Sequence, residues 1–397
     1  MIGYLKQKTS WPLVLFFLAV TVFVIYYATS GGTTPYDYFI RLAASFLHGK
    51  YYLDVNPTWL NELVPIAANR FAVVYPPAPA LIAIPFVLIF GSGMQQQIIA
   101  QIMGAFAAFI WGRLAYQEFV NTQKSGSRLT SFWVFLLAGL GNIVWFLSAN
   151  GSVWYMGQVS AFLFITLTLY ESLGRKRVPL LALYFGLAIL SRLQVILVLP
   201  LIIYLNRDIF KSWKKVCSFT LGLLAFGIIY GLYNYLRFGS FVETGYKLIP
   251  GVLSEPWYGG SLFNYTHIVS NLKVMFASLP RINSEFPYIT PSWGGLAIWI
   301  TSPVFIYMFW AKKNLQNLIS WICILLIAMV IFTHGGTGFT QFGYRYAVDF
   351  YPMIFLLIAD AVTSRGLRWH HWTLLSISIL INLWGVLFIN KFGFVGW

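Results

Sequence analysis

PLLALYFGLAILSRLQVILVLPLIIYLN, residues 179–206, is an apolar run whose single charge, Arg192, sits near its middle. As one helix it would be about 42 Å long at 1.5 Å per residue. A hydrocarbon core is roughly 30 Å thick, so the run overshoots it. A single crossing would also leave Arg175, Lys176 and Arg177 on one side and Arg207, Lys211, Lys214 and Lys215 on the other. Cytoplasmic loops collect Lys and Arg, so the two clusters belong on one face. Two short half-spanning helices meeting near Ser191-Arg192 satisfy both constraints. They leave a guanidinium at membrane depth, where charge is costly and marks a substrate path unless it snorkels or pairs with an acid.

Working outward, apolar segments recur at about 11–29, 71–90, 95–117, 129–148, 154–173, 217–236, 294–311, 317–333, 344–362 and 371–389. The run 71–90 is irregular in another way. Pro76, Pro77, Pro79 and Pro85 remove or constrain helical hydrogen bonds that lipid cannot replace, which predicts a re-entrant or interfacial helix. With these two corrections the N-terminus and the loops near 113–128, 174–178, 207–215, 311–317 and 363–371 hold 16 of the 26 Lys and Arg. Seven of the eleven acids fall on the other face. The expectation is one all-α transmembrane domain over 1–397 with about eleven membrane helices, the N-terminus cytoplasmic and the C-terminus outside. The first apolar segment is long for a signal peptide and reads as a retained signal-anchor helix.

Composition agrees. Of 397 residues 59% are apolar and 9% charged, where soluble domains carry about 25% charged residues. The net charge of +15 follows from loop bias rather than from nucleic-acid binding. Cys217 and Cys323 lie in apolar runs and form no disulfide or zinc pattern. Two segments are too long for turns: a first external loop, 30–94, and a second, 237–293, both rich in aromatic residues and proline. Long loops in compact proteins are usually functional, so the chemistry is expected on the external face.

Few residues there can carry it. Asp37 stands beyond the first helix, before an amphipathic stretch (Phe39, Leu42, Ala43, Phe46, Leu47). It reads either as a helix cap or as a general base. Asp54 and Glu62 read as solvated loop acids. Arg345 and Asp349 are four apart, so they read as an intrahelical pair or as an arginine held by the acid and turned to an anionic ligand. The loop 334–339, His-Gly-Gly-Thr-Gly-Phe, offers backbone amides but no nucleotide-loop spacing, and no zinc-protease or Asp-x-Asp motif occurs. If the chain is a transferase, its donor is a lipid.

The order of YDYFIRLA (36–43) with FLHG (46–49), YPPAPAL (75–81), GSVWY (151–155), LSR (190–192), YNYLRFG (233–239) and RY (345–346) resembles the GT-C superfamily of membrane glycosyltransferases. Within it, the bacterial and archaeal relatives of the protein O-mannosyltransferases are most similar. The resemblance implies transfer of a sugar from a polyprenyl-phosphate donor to a glycan, lipid or protein hydroxyl, with inversion. It also implies Asp37 as base and Arg345 at the donor phosphate, with Arg192 or Arg237 as a second cation. Glu62, Tyr75, His334, Tyr344 and Tyr246 are then the expected substrate-binding residues, with the prenyl tail between interfacial helices and bundle. No cofactor is required, although Asp37 and Glu62 could share a divalent cation. The chain lacks the soluble C-terminal domain and the Asp-Glu pair of the larger O-mannosyltransferases. A flippase of lipid-linked sugar explains the buried arginine equally well but predicts an inverted repeat, and none is visible. A glycan ligase or polymerase differs only in acceptor.

Overall fold

A computed structural model describes residues 2–121, 127–338 and 340–395, with side chains apart from those of 2–9, 118–121 and 127. Lys124 of the basic loop near 113–128 and Phe339 of the glycine-rich loop lie outside the described residues. Among these, seven helical stretches are long and apolar enough to cross a membrane: Ser10–Ala28, Gln96–Gln117, Val153–Leu173, Trp213–Phe238, Leu315–Phe332, Arg345–Arg365 and Trp369–Phe392. They belong to helices α1 (Ile2–Ala28), α4 (Gln96–Asn121), α7 (Val153–Leu173), α10 (Trp213–Phe238), α13 (Leu315–Phe332), α14 (Tyr351–Arg365, after a 3-10 turn Arg345–Phe350) and α15 (Trp369–Leu387). A further apolar pair, α5 (Ser127–Gly139) and α6 (Val144–Asn150), is bent by 53° at the break between its helices and makes an eighth span if the two count as one.

The expected eleven membrane helices are therefore not eleven full crossings. The run 71–90 keeps only α3 (Ala78–Phe90), 13 residues or about 20 Å. The run 294–311 becomes the four-residue α12 (Ile298–Thr301) and a 3-10 segment, Pro303–Trp310. The decisive stretch does break where the charge argument requires. It forms α8 (Val178–Ile189), then a 3-10 turn Leu193–Val198 and α9 (Leu199–Leu205). Arg192 between them is extended, at φ −151°. Ser191 Oγ donates to the Leu187 carbonyl at 2.8 Å and lies 2.8 Å from Ser160 Oγ, which satisfies polar groups at the break. Both ends meet on one side: Lys176 Nζ donates to the Leu205 carbonyl at 2.9 Å and to Asp208 at 2.6 Å. The tip touches the first loop, where the Ala78 amide donates to the Leu190 carbonyl at 3.0 Å.

The chain is not purely helical. β1 (Leu63–Ala67) and β2 (Arg70–Val73) pair antiparallel with Leu63 opposite Val73, and β3 (Arg281–Ile282) pairs with β4 (Ile289–Thr290). Both hairpins lie in the two long loops, where backbone groups need partners that no helix supplies. Val64, Ala72 and Val74 of the first loop and Ile249, Val252 and Tyr258 of the second share one small apolar core. Gly335 N donates to the Leu262 carbonyl at 2.8 Å, which joins the loop before Arg345 to the same assembly.

The turn from α6 into α7 is fixed by Gly151, whose φ is +63° and whose missing Cβ would fall 2.3 Å from Gln97 Cα. Backbone cannot yield as a side chain would. Gly151→Ala is expected to lower unfolding stability by about 2 kcal/mol or more, from left-handed strain plus overpacking, read as a drop in thermal midpoint of the detergent-solubilised protein.

Candidate active site

Arg345 and Arg192 are brought together from distant positions by the 3-10 turn before α14 and by the tip of the broken helix pair. Their guanidinium carbons lie 4.7 and 5.7 Å from the ring centroid of Tyr346. Their electrostatic situations differ. Asp349, fully buried, accepts from Arg192 Nη2 at 3.1 Å and from Gln194 Nε2 at 2.7 Å. Arg345 is 7% exposed; its Nη2 donates to the Tyr346 hydroxyl at 3.3 Å and its Nε is buried without a partner. Among the described residues no carboxylate lies within ion-pairing distance of Arg345. The Arg345–Asp349 pair expected from their spacing is thus replaced by Arg192–Asp349, because the 3-10 turn does not hold positions four apart on one face as an α-helix does. A buried guanidinium without a counter-ion is costly and is a natural anion site.

Glu62 is not the solvated loop acid that its position suggested. It sits just before β1 and accepts from Trp154 Nε1 at 2.9 Å and from the Tyr246 hydroxyl at 3.2 Å. Burial pushes its carboxyl up to about 7, against the opposing pull of the Trp154 N–H, the Arg345 charge and the Tyr246 hydroxyl. The Tyr258 hydroxyl lies 3.5 Å from that of Tyr246. His334 completes the wall, its ring edge-on to Tyr246, Tyr258 and Tyr346 at 6.3, 5.8 and 5.4 Å. Its Nδ1 is 2.9 Å from the Gly336 carbonyl, which can only accept, so the proton is on Nδ1 and Nε2 carries a lone pair. Burial pushes this imidazole down to about 4, so it is neutral at pH 7.

Asp37 precedes α2 (Tyr38–Leu47) at the cap position, but its side chain makes no capping bond. It pairs instead with Arg41 at 2.7 Å, and its side chain stays 24% exposed. The segment carrying it is clamped by Gln96, whose Oε1 accepts from Phe39 N at 3.0 Å and whose Nε2 donates to the carbonyls of Tyr36 at 3.1 Å and Gly151 at 2.8 Å. Tyr36 packs on Trp154 at 4.7 Å between centroids. Trp154 thus touches both the residue before Asp37 and the Glu62 carboxylate. Gln96 escaped the sequence reading because a glutamine opening an apolar helix carries no motif.

Three further expected residues have packing or hydrogen-bond roles of their own. The Arg237 guanidinium donates to the Val73 and Tyr233 carbonyls and to Asn234 Oδ1 through its three nitrogens, and it stacks on Tyr233 and Phe238. It pins α10 to β2. Arg237→Met is expected to cost about 2–3 kcal/mol of stability while leaving anion affinity unchanged, a contrast that thermal unfolding and ligand titration of one preparation would check. The Tyr344 hydroxyl donates to Asn271 at 2.8 Å on α11 (Ile268–Ala277), whose amide in turn bonds the carbonyls of Phe332 and His334. These bonds brace the loop before Arg345 against α11. Tyr75 packs edge-on to Tyr38 and Phe39 at 5.7 and 6.1 Å, and its hydroxyl is buried without a partner. No cluster of three or more potential metal ligands occurs among the described residues.

An apolar groove of about 610 Å³ runs between the broken helix pair and α10, lined by Leu190, Ile196, Phe219, Leu223, Phe226 and Tyr230 among others. Its wall begins two residues from Arg192. It is not the expected groove beside the interfacial helices.

No protein-family profile and no curated protein matches the sequence. Solved structures do. ArnT from Cupriavidus metallidurans bound to undecaprenyl phosphate superposes with a TM-score of 0.50 at 14% identity, covering 94% of this chain and 63% of that one. The apo form of the same protein gives 0.47 at 13% identity, over 94% and 62%. The chain thus spans slightly under two thirds of the length of that protein. What the likeness over nearly the whole chain establishes is architecture: this is a polytopic helical membrane protein with a GT-C-like fold.

Proposed function

We propose that this chain transfers a sugar from a polyprenyl-phosphate donor to a hydroxyl acceptor on the extracytoplasmic face of the membrane. The observation that carries the reading is Arg345, a buried guanidinium without a carboxylate partner among the described residues, beside Arg192 at the tip of the broken helix pair. A lipid phosphate supplies the missing anion, and the apolar groove that starts near Arg192 accommodates a prenyl tail. The solved neighbour of like fold is described as bound to undecaprenyl phosphate, which adds support. The Lys and Arg bias of the loops assigned to the opposite face supports this side of the membrane.

In this reading the acceptor oxygen attacks the anomeric carbon from the face opposite the phosphate. The carbon–oxygen bond to phosphate breaks, and the lipid leaves as a phosphate monoester. Asp37 accepts the acceptor's proton, which a sugar or protein hydroxyl does not surrender unaided near neutral pH. Arg345 and the Asp349-held Arg192 stabilise the charge gathering on the leaving phosphate in a site shielded from water. No metal is needed for these steps. Trp154, Tyr246 and Tyr258 supply aromatic faces for the sugar.

The test is incubation of the purified full chain with a labelled polyprenyl-phosphate sugar and glycan, lipid and peptide acceptors. Labelled acceptor and free polyprenyl phosphate are expected in equal amounts. Passage of the intact lipid-linked sugar across a proteoliposome bilayer without cleavage would replace this reading with a flippase.

A further inference from the structure

Gln341 stands four residues before Arg345 and is fully buried. Its carboxamide ties three segments together. Nε2 donates to the Gly294 carbonyl at 2.8 Å, just past the second loop. It also donates to the Thr337 carbonyl at 2.9 Å, in the glycine-rich loop that carries His334. Oε1 accepts from the Arg345 amide at 3.2 Å. The seat for this side chain is made by two glycines. Gly295 and Gly338 both hold φ at +96°, where other residues are disfavoured. A Cβ on Gly295 would lie 3.0 Å from Gln341 Cγ, and one on Gly338 would overlap Gln341 Oε1. The backbone beside the seat is laced in the same direction: Leu296 N donates to the Phe342 carbonyl at 2.9 Å, and Tyr344 N to the Leu296 carbonyl at 3.3 Å.

Both backbone groups of Arg345 therefore meet a buried glutamine. The first amide of a helical turn has no partner inside the turn, and Gln341 Oε1 supplies one. On the other side Gln158 Nε2, from α7, donates to the Arg345 carbonyl at 2.9 Å. Holding the amide and the carbonyl fixes the direction of the Cα–Cβ bond, and with it the reach of the guanidinium. We propose that Gln341 is the positioning residue of the donor site: it sets the Arg345 guanidinium and the His334 loop in one register for the lipid phosphate. This rests on the donor-phosphate reading of Arg345. Gln341 acts through the backbone of Arg345 and not on the substrate. Its effect is large because a guanidinium meets two phosphate oxygens only when its planar fork is aligned with them. A turn that loses its anchor keeps the charge nearby but gives up one of the two bonds.

The probe is a long-chain dialkyl phosphodiester titrated into the full chain in detergent, well below the unfolding temperature. Gln341→Met keeps the length of the side chain and removes all three bonds. It is expected to weaken probe binding by roughly ten- to a hundredfold, the worth of one hydrogen bond to a charged group. Donor KM should rise by the same factor while acceptor KM stays unchanged. Gly338→Ala tests the seat from the other side, since its methyl group drives Oε1 off the Arg345 amide, and the same loss of affinity is expected. It decides the matter alone if the Met variant does not fold. Both variants also lose stability, so Arg237→Met, destabilised with the Gln341 bonds intact, is the reference. Probe binding by Gln341→Met and Gly338→Ala as tight as by Arg237→Met overturns the proposal, makes Gln341 a structural tie and leaves the Arg345 reading standing. An equal loss in all three variants overturns it too, because the loss then follows stability and not the seat. Absence of probe binding by the wild type overturns the Arg345 reading and this inference with it.

Discussion

Asp37→Asn is expected to lower the rate of sugar transfer by about 10²–10⁴-fold, the range a positioned general base contributes, while the protein keeps its fold. The amide is nearly isosteric with the carboxylate but cannot accept the acceptor's proton. The structural cost is small. The Asp37–Arg41 pair is solvent-accessible on both sides, and such pairs contribute about 1 kcal/mol or less. The side chain caps no helix, so no cap is lost. The segment is held instead by Gln96 through backbone groups that the substitution leaves alone. Turnover at saturating donor and the thermal midpoint should therefore separate, the first collapsing and the second staying within a few degrees. Turnover within twofold of wild type would remove Asp37 from the mechanism and leave Glu62, held by Trp154 and Tyr246, as the next candidate acid.

How much of this was legible from the chain depends on which physical rule was at work. The break at Ser191-Arg192 could be read because it rests on two long-range constraints, bilayer thickness and loop charge, and neither needs atomic detail. The shortness of α3 could be read for the same reason, since prolines in lipid leave bonds unmade. The pairing of the buried charges could not. Spacing offered Arg345–Asp349, but the partner of Asp349 comes from 157 positions away at the tip of the broken helices. Glu62 shows the same limit: nothing local marks Asn61-Glu62-Leu63, and its environment is made by Trp154 and Tyr246 from elsewhere. Arg237 is the opposite case. An arginine at the end of a membrane helix looks available to phosphate until the Val73 carbonyl and Asn234 are seen to occupy it. The hairpins of the long loops were missed because their strands are too short for alternation to stand out among aromatic residues.

Arg345 should separate binding from stability most sharply. Arg345→Met keeps much of the side-chain volume against Tyr155 and Tyr346 but removes the charge and every donor. Losing a buried, charge-assisted contact to phosphate is worth about 2–5 kcal/mol, so donor affinity should fall by roughly 30- to 5,000-fold. The ligand-free protein should move the other way or not at all. Its guanidinium is buried, and among the described residues its Nε has no partner and no ion pair offsets the desolvation. Replacing an uncompensated buried charge with an apolar side chain of similar size relieves that cost, partly balanced by the lost cation–π contacts. Arg345→Lys should fall between, since an ammonium keeps the charge but not the planar fork that meets two phosphate oxygens. Thermal unfolding without ligand and titration with polyprenyl phosphate measure the two effects. A Met variant that loses stability in step with affinity would make Arg345 a packing residue. One that holds its midpoint and no longer binds phosphate shows an arginine kept in the core at a cost for the anion it receives.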